Sequence, residues 1–135
     1  MDDILKKLRL RDFERIAVLN APGEVTEKLM KVLDGVQVDS EINARYLYEF
    51  MVAFVHSSAE VKEIGPACLH NLGHDGILWL AYPKGTSKKY ISDINRDRGW
   101  RPVAEWGFVP VSHISIDADW SAIRFRNIKY VKTKQ

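Results

Sequence analysis

The chain has 135 residues, 46% of them hydrophobic and 28% charged, and a formal net charge of +2. That length buries a full core in one domain, and the composition excludes disordered, collagen-like and disulfide-rich classes. So small a net charge argues against nucleic-acid binding, and the single cysteine, Cys68, permits no internal disulfide, as expected of a reducing cytoplasmic compartment.

Met1 to Leu8 mixes acids and lysines with Ile4, Leu5 and Leu8, a spacing that predicts an N-terminal helix within 1–14. It lacks the continuous apolar stretch of a secretory signal. Ile16, Ala17, Val18 and Leu19 form the first apolar run, and the chain then turns at Asn20-Ala21-Pro22-Gly23. Val25, Leu29, Val32 and Leu33 repeat at helical spacing before Asp34-Gly35, and Val36 and Val38 open a short second strand.

Phe50 to Val55 is apolar on both faces, as a strand is when helices cover both sides of a parallel sheet. Ser57 and Glu60 follow at capping-box spacing. Val61, Ile64, Cys68 and Leu72 then mark a helix face, with Gly73 as the expected stop. Ile77 to Tyr82 is again apolar throughout, so a helical crossover joins two parallel neighbours. Both runs are far shorter than the ~20 residues of a membrane span.

Beyond the polar loop Lys84 to Lys89, Pro102 fits the first turn of a short helix and Gly107 the position past its end. Val109 to Asp117 and Trp120 to Arg126 alternate in character and predict a closing antiparallel hairpin, with a basic tail over 127–135. The whole chain, 1–135, therefore reads as a single three-layer Rossmann-like α/β domain with a mostly parallel sheet.

Phe50 to Tyr82, with Leu72-Gly73-His74-Asp75-Gly76 before Ile77-Leu78-Trp79-Leu80, resembles the middle of class I S-adenosylmethionine-dependent methyltransferases. The closing hairpin resembles the end of their sheets, which implies a methyltransferase-like topology. Asn20-Ala21-Pro22, Phe54-Val55-x-Ser57, Leu78-Trp79-x-Ala81-Tyr82-Pro83-Lys84 and Trp120-Ser121-Ala122-x-Arg124-Phe125 also resemble a small bacterial family of Rossmann-like proteins with no assigned activity. That resemblance implies architecture and a bacterial cytoplasmic origin.

Methyltransferases carry glycines in the turn after the first strand, where the backbone approaches the cofactor closely. Here the turn is Asn20-Ala21-Pro22-Gly23-Glu24 and the chain contains no Gly-x-Gly, so S-adenosylmethionine is set aside at this point and the cofactor stays open. In an open parallel sheet ligands sit at the carboxyl ends of the strands where strand order reverses. Asn20, Asp39, His56, Ser57 and Lys84 are the candidate ligand-binding residues on that rule.

Each has a plain structural alternative: Asn20 closes a turn, Ser57 caps a helix, and Lys84 to Lys89 is a solvated loop. Asp39 and Glu41 stand where related folds place an acid on a ribose hydroxyl. His70 and His74 lack partners for a metal site, and Cys68 reads as core. Trp79 reads as core and Trp120 as the end of it, whereas Trp100 and Trp106 flank turns. Arg124 or Arg126 is expected to pair with Asp117 or Asp119 across the hairpin.

With no nucleophile and base pair in view, the leading expectation is a non-catalytic module. It would bind a small anionic or nucleotide-like ligand, or a protein partner. The alternatives are a divergent methyltransferase-like enzyme and a structural or oligomerisation domain.

Overall fold

The computed structural model describes residues 7–10 and 13–131. Its strands are β1 (Arg15–Leu19), β2 (Gln37–Asp39), β3 (Tyr48–Phe54), β4 (Leu72–Pro83), β5 (Phe108–Ser115) and β6 (Trp120–Asn127). Three helices, α1 (Gly23–Val32), α2 (Ser58–His70) and α3 (Arg101–Glu105), stand between them, and a 3-10 turn covers Ile128–Tyr130. The helix expected within 1–14 lies largely outside the described residues, as do 132–135 of the expected tail. No helix among the described residues is long and apolar enough to cross a membrane.

The six strands form one sheet in the order β2-β1-β3-β4-β6-β5. β1 pairs in parallel with β2 on one side and with β3 on the other, and β3 pairs in parallel with β4. Alternation of side chains divides the core between the two faces. Ala17, Leu19, Met51, Ala53, Leu78 and Leu80 lie on one face, under Val61 and Cys68 of α2 and Val103 of α3. Ile16, Val18, Phe50, Val52, Phe54 and Trp79 lie on the other, under Val25 and Leu29 of α1. The expected three-layer, mostly parallel architecture is therefore what the chain adopts.

The closing hairpin is present, and its placement follows from its sequence. β6 is antiparallel to both β4 and β5, so it inserts between them and is the strand that runs against the others. β5 contains Pro110, which has no N–H to give to a ladder, and it takes the edge. β6 is buried from Trp120 through Ile123, the pattern of an interior strand.

Two local expectations are corrected. α2 ends at His70, not at Gly73, and Leu72 already belongs to β4. The cause is Asn71, whose buried amide donates to the carbonyls of Asn43 (3.2 Å) and Tyr46 (2.9 Å) while its own carbonyl accepts from the Tyr48 amide. Those bonds draw the chain out of the helix and onto β3 one turn early. Arg126 pairs across the sheet with Asp75, through Nε at 2.7 Å and Nη2 at 2.5 Å, and not with Asp117 or Asp119. Asp117 is committed to the hairpin turn, where Oδ1 accepts from the amides of Asp119 and Trp120.

Other elements match their signals. Pro102 lies in the first turn of α3 and Gly107 follows it at φ +86°. Trp79 and Trp120 are fully buried, the first donating from its indole to the Leu8 carbonyl at 2.8 Å. Burial pushes the Cys68 thiol up to about 12, which makes it an inert core group.

Gly65 of α2 is required by packing: a Cβ there would lie 1.7 Å from Cη2 of Trp106. Gly65→Ala gains about 1 kcal/mol of helix propensity but incurs an overpacking cost of about 1–3 kcal/mol. Thermal unfolding should show a Tm lowered by several degrees. A raised Tm would mean that Trp106 does not hold this position.

Candidate functional site

Strand order reverses between β1 and β3, because the β1 crossover leads outward to β2 and the β3 crossover leads the other way to β4. With α1 and α2 on opposite faces, a crevice opens at the carboxyl ends of these strands. It encloses about 580 Å³, between Leu19 and Asn20 after β1, Ser40 to Ile42 after β2, Phe54 and Val55 of the β3 end, and the side of α2 carrying Glu60, Glu63 and Ile64.

Asn20 organises the crevice. Its backbone is left-handed, φ +58°, a conformation that asparagine tolerates better than other residues with a Cβ, glycine aside. Its side-chain amide donates to the Phe54 carbonyl at 2.9 Å, closing the ladder where β1 and β3 stop pairing. The turn then runs through extended Pro22, whose carbonyl accepts from the amides of Val25 and Thr26, both at 3.0 Å. Gly23 opens α1 onto free space, with no atom within 4 Å of where its Cβ would be.

Asp39 lies at the end of β2, but its carboxylate faces its own neighbours. Oδ2 accepts from Arg15 Nε at 2.7 Å and from the Tyr48 hydroxyl, and Oδ1 accepts from Gln37 Nε2 at 3.0 Å. Burial alone would raise this carboxyl; the hydrogen bonds from Tyr48, Gln37 and Arg15 together outweigh it and hold it below the ordinary range. Glu41, two residues on, is the acid after β2 that lines the crevice.

His56 and Ser57 sit at the start of α2. Ser57 Oγ accepts from the Glu60 amide at 3.2 Å, as the capping spacing predicts. Glu60 Oε1 reaches one residue beyond the usual target, accepting from the His56 amide at 2.6 Å and lying 3.2 Å from His56 Nδ1. The His56 ring packs against Trp120 and Tyr90, with centroids 5.2 and 5.6 Å apart. Glu60 therefore belongs both to the crevice and to the hold on His56.

Lys84 is drawn to the hairpin, its ammonium donating to Ser115 Oγ at 2.6 Å, and it does not line the crevice. Of the loop that follows, Lys89 reaches Glu24 in the first turn of α1 at 3.3 Å. Asp93 caps α2, accepting from the Ser58 amide at 2.9 Å and the Ser58 hydroxyl at 2.7 Å. The loop is thus tied across the carboxyl edge of the sheet, from one helix start to the other. Of the five predicted residues Asn20 lines the crevice; Asp39, His56 and Ser57 lie beside lining residues in the chain without lining it, and Lys84 lies apart.

The lining carries three carboxylates, Glu41, Glu60 and Glu63, and no lysine or arginine, over an apolar floor of Leu19, Ile42, Phe54 and Val55. Glu60 and Glu63 stand three residues apart on one helix face, a spacing visible in the sequence but without a local mark of ligand contact. Among the described residues no three His, Cys, Asp or Glu side chains are grouped to hold a metal ion.

No family model matches the chain, and no curated protein matches it. Its structural neighbours are class I methyltransferases. N-methyltransferase NodS from Bradyrhizobium japonicum WM9 superposes with a TM-score of 0.59 at 14% identity, covering 93% of each chain. Glycopeptide N-methyltransferase MtfA, complexed with sinefungin, gives 0.53 at 8% identity over 92% of this chain and 90% of its own. Phospholethanolamine N-methyltransferase 2 from Haemonchus contortus, complexed with phosphomonomethylethanolamine and S-adenosylhomocysteine, gives 0.55 at 10% identity over 93% of this chain. The chain spans 36% of that last protein.

These likenesses establish the fold, and they correct the expectation that set S-adenosylmethionine aside. Proteins of this fold are solved with sinefungin and with S-adenosylhomocysteine, the demethylated product of that cofactor. Asn20 supplies a left-handed turn residue after β1 without a glycine, so the missing Gly-x-Gly does not by itself exclude that cofactor.

The Asp39 network gives a pH-dependent prediction. A depressed folded-state pKa contributes stability above the ordinary carboxylate value of 3.8, and that contribution is lost as pH falls through the folded value. Asp39→Asn should cost about 1–3 kcal/mol in urea unfolding near pH 7. The difference from the parent should shrink as pH falls below the ordinary carboxylate value of 3.8. An unchanged difference would show that the carboxylate charge is not what stabilises the β1–β2 edge.

Proposed function

We propose that this chain is an S-adenosylmethionine-binding domain of methyltransferase type, with its ligand in the crevice at the carboxyl ends of β1, β2 and β3. The observation that carries this reading is the acidic lining: Glu41, Glu60 and Glu63 over an apolar floor, with no cation among the lining residues. S-adenosylmethionine is a nucleoside bearing a sulfonium and an ammonium, so it brings positive charge to these acids. A dinucleotide or nucleoside triphosphate brings phosphates instead. Two like charges ~4 Å apart at an effective dielectric constant of ~20 repel by about 4 kcal/mol.

Division of labour within the crevice follows from what each group already does. Asp39 is engaged by Arg15, Tyr48 and Gln37, so the ribose hydroxyls fall to Glu41. Ile42, Phe54 and Val55 supply the apolar surface for an adenine ring. Asn20 sets the backbone path of the turn, and Gly23 leaves open space beside it. This reading keeps the small ligand of the leading expectation, a non-catalytic module, and takes its cofactor from the methyltransferase-like alternative.

Isothermal titration of the purified chain with S-adenosylmethionine, S-adenosylhomocysteine, ATP and NAD tests the reading. Binding is expected for the first two and not for the phosphate-bearing pair. Glu41→Gln should weaken S-adenosylmethionine by about tenfold, the equivalent of one charge-assisted hydrogen bond, and Lys84→Gln should leave it unchanged. Tighter binding of NAD or ATP, or no heat with any of the four, would refute the assignment.

A further inference from the structure

A second cavity lies at the opposite, amino-terminal end of β4, and the cofactor reading makes no use of it. It encloses about 380 Å³, within the range of ~300–1,000 Å³ typical of small-molecule sites. Leu72, Trp106 and Phe108 form its apolar side, and His74, Lys129 and Tyr130 stand around it as polar groups.

Its walls are held from several directions. Trp106 rests against Gly65 of α2, so closely that a Cβ on that glycine would lie 1.7 Å from the indole. The polar side is built on a bulge at the start of β4, where pairing with β3 slips between Tyr48 and Phe50. Asp75 in that bulge has φ +49°, and a Cβ on Gly76 would come 2.9 Å from the Tyr48 carbonyl, so the backbone packs tightly there.

The charges around the cavity are uneven. Asp75 is matched by Arg126 in the paired hydrogen bond already described. Lys129 has no carboxylate partner among the described residues; its ammonium lies 5.1 Å from the centre of the Tyr130 ring. His74 Nδ1 is 3.2 Å from the Tyr130 hydroxyl, which places an imidazole and a phenol beside that cation. An aromatic side together with one cation that has no carboxylate partner among the described residues and two hydrogen-bonding groups suits a flat apolar body ending in a single negative charge.

We infer that this cavity is a binding site for an aromatic monocarboxylate, its ring against Trp106 and Phe108 and its carboxylate at Lys129, beside His74 and Tyr130. The site is separate from the crevice at the carboxyl edge, so it stands whether or not that crevice takes S-adenosylmethionine.

Indole-3-acetate is the probe, followed by ¹⁵N NMR of the full chain. Saturable shifts are expected at the His74 and Gly76 amides and the Trp106 indole, and they should persist in Glu41→Gln. 3-Methylindole, which lacks the carboxylate, should bind at least about tenfold more weakly, and Lys129→Gln should weaken indole-3-acetate by a similar factor. Lys129→Gln should leave 3-methylindole unaffected, which separates loss of charge from loss of fold. Absence of saturable shifts, shifts centred on Asn20 and Glu41, or equal affinity for the two indoles would overturn the assignment.

Discussion

The parallel pairing of β1 with β3, Ala17 with Met51, Val18 with Val52 and Leu19 with Ala53, is the constraint on which the rest of the molecule depends. It puts β2 on one side and β4 on the other, so the two crossovers diverge and their helices cover opposite faces. An opening at the carboxyl ends is the geometric result. Asn20 finishes the pairing by bonding its side chain to the Phe54 carbonyl, so the residue that ends the ladder also shapes the turn beside the crevice. One side chain thereby serves both the closure of the sheet and the form of the site.

Around that opening the polar groups fall into those already bonded and those facing the cavity. Asp39, Ser57 and Lys84 have their hydrogen-bonding atoms engaged by Arg15 and Tyr48, by the Glu60 amide and by Ser115 respectively. Glu41 and Glu63 line the cavity, and Glu60 does so while bonding to His56. The distinction is energetic: a carboxylate committed to an ion pair and a phenol must give up those bonds to serve a ligand, at about 1–3 kcal/mol each. The loop that carries Lys89 and Asp93 fastens the starts of α1 and α2, which steadies both sides of the opening.

Elements whose cause is local were legible in the sequence. β1, β3 and β4 announce themselves as apolar runs, Ser57 and Glu60 as a helix start, and Pro102 and Gly107 as the limits of α3. What was not legible depends on partners far along the chain. Asp75 finds Arg126 across 51 positions, Asp93 finds Ser58 across 35, and Asn71 ends α2 through carbonyls 25 and 28 positions away. Pro110 did carry a local signal for the edge position of β5, and hence for the insertion of β6 beside β4. The turn after β1 was read for its missing glycines, whereas Asn20 takes a left-handed conformation there with a side chain that also makes a bond.

The central claim is that the reversal of strand order between β1 and β3 creates the site for S-adenosylmethionine. A crystal structure of the chain grown with S-adenosylhomocysteine tests it most directly. The nucleoside is expected between the ends of β1, β2 and β3, its ribose hydroxyls on Glu41 and its ring over Ile42 and Phe54. A ligand bound elsewhere on the molecule, or ribose hydroxyls taken by a freed Asp39 with Arg15 displaced, would contradict the account.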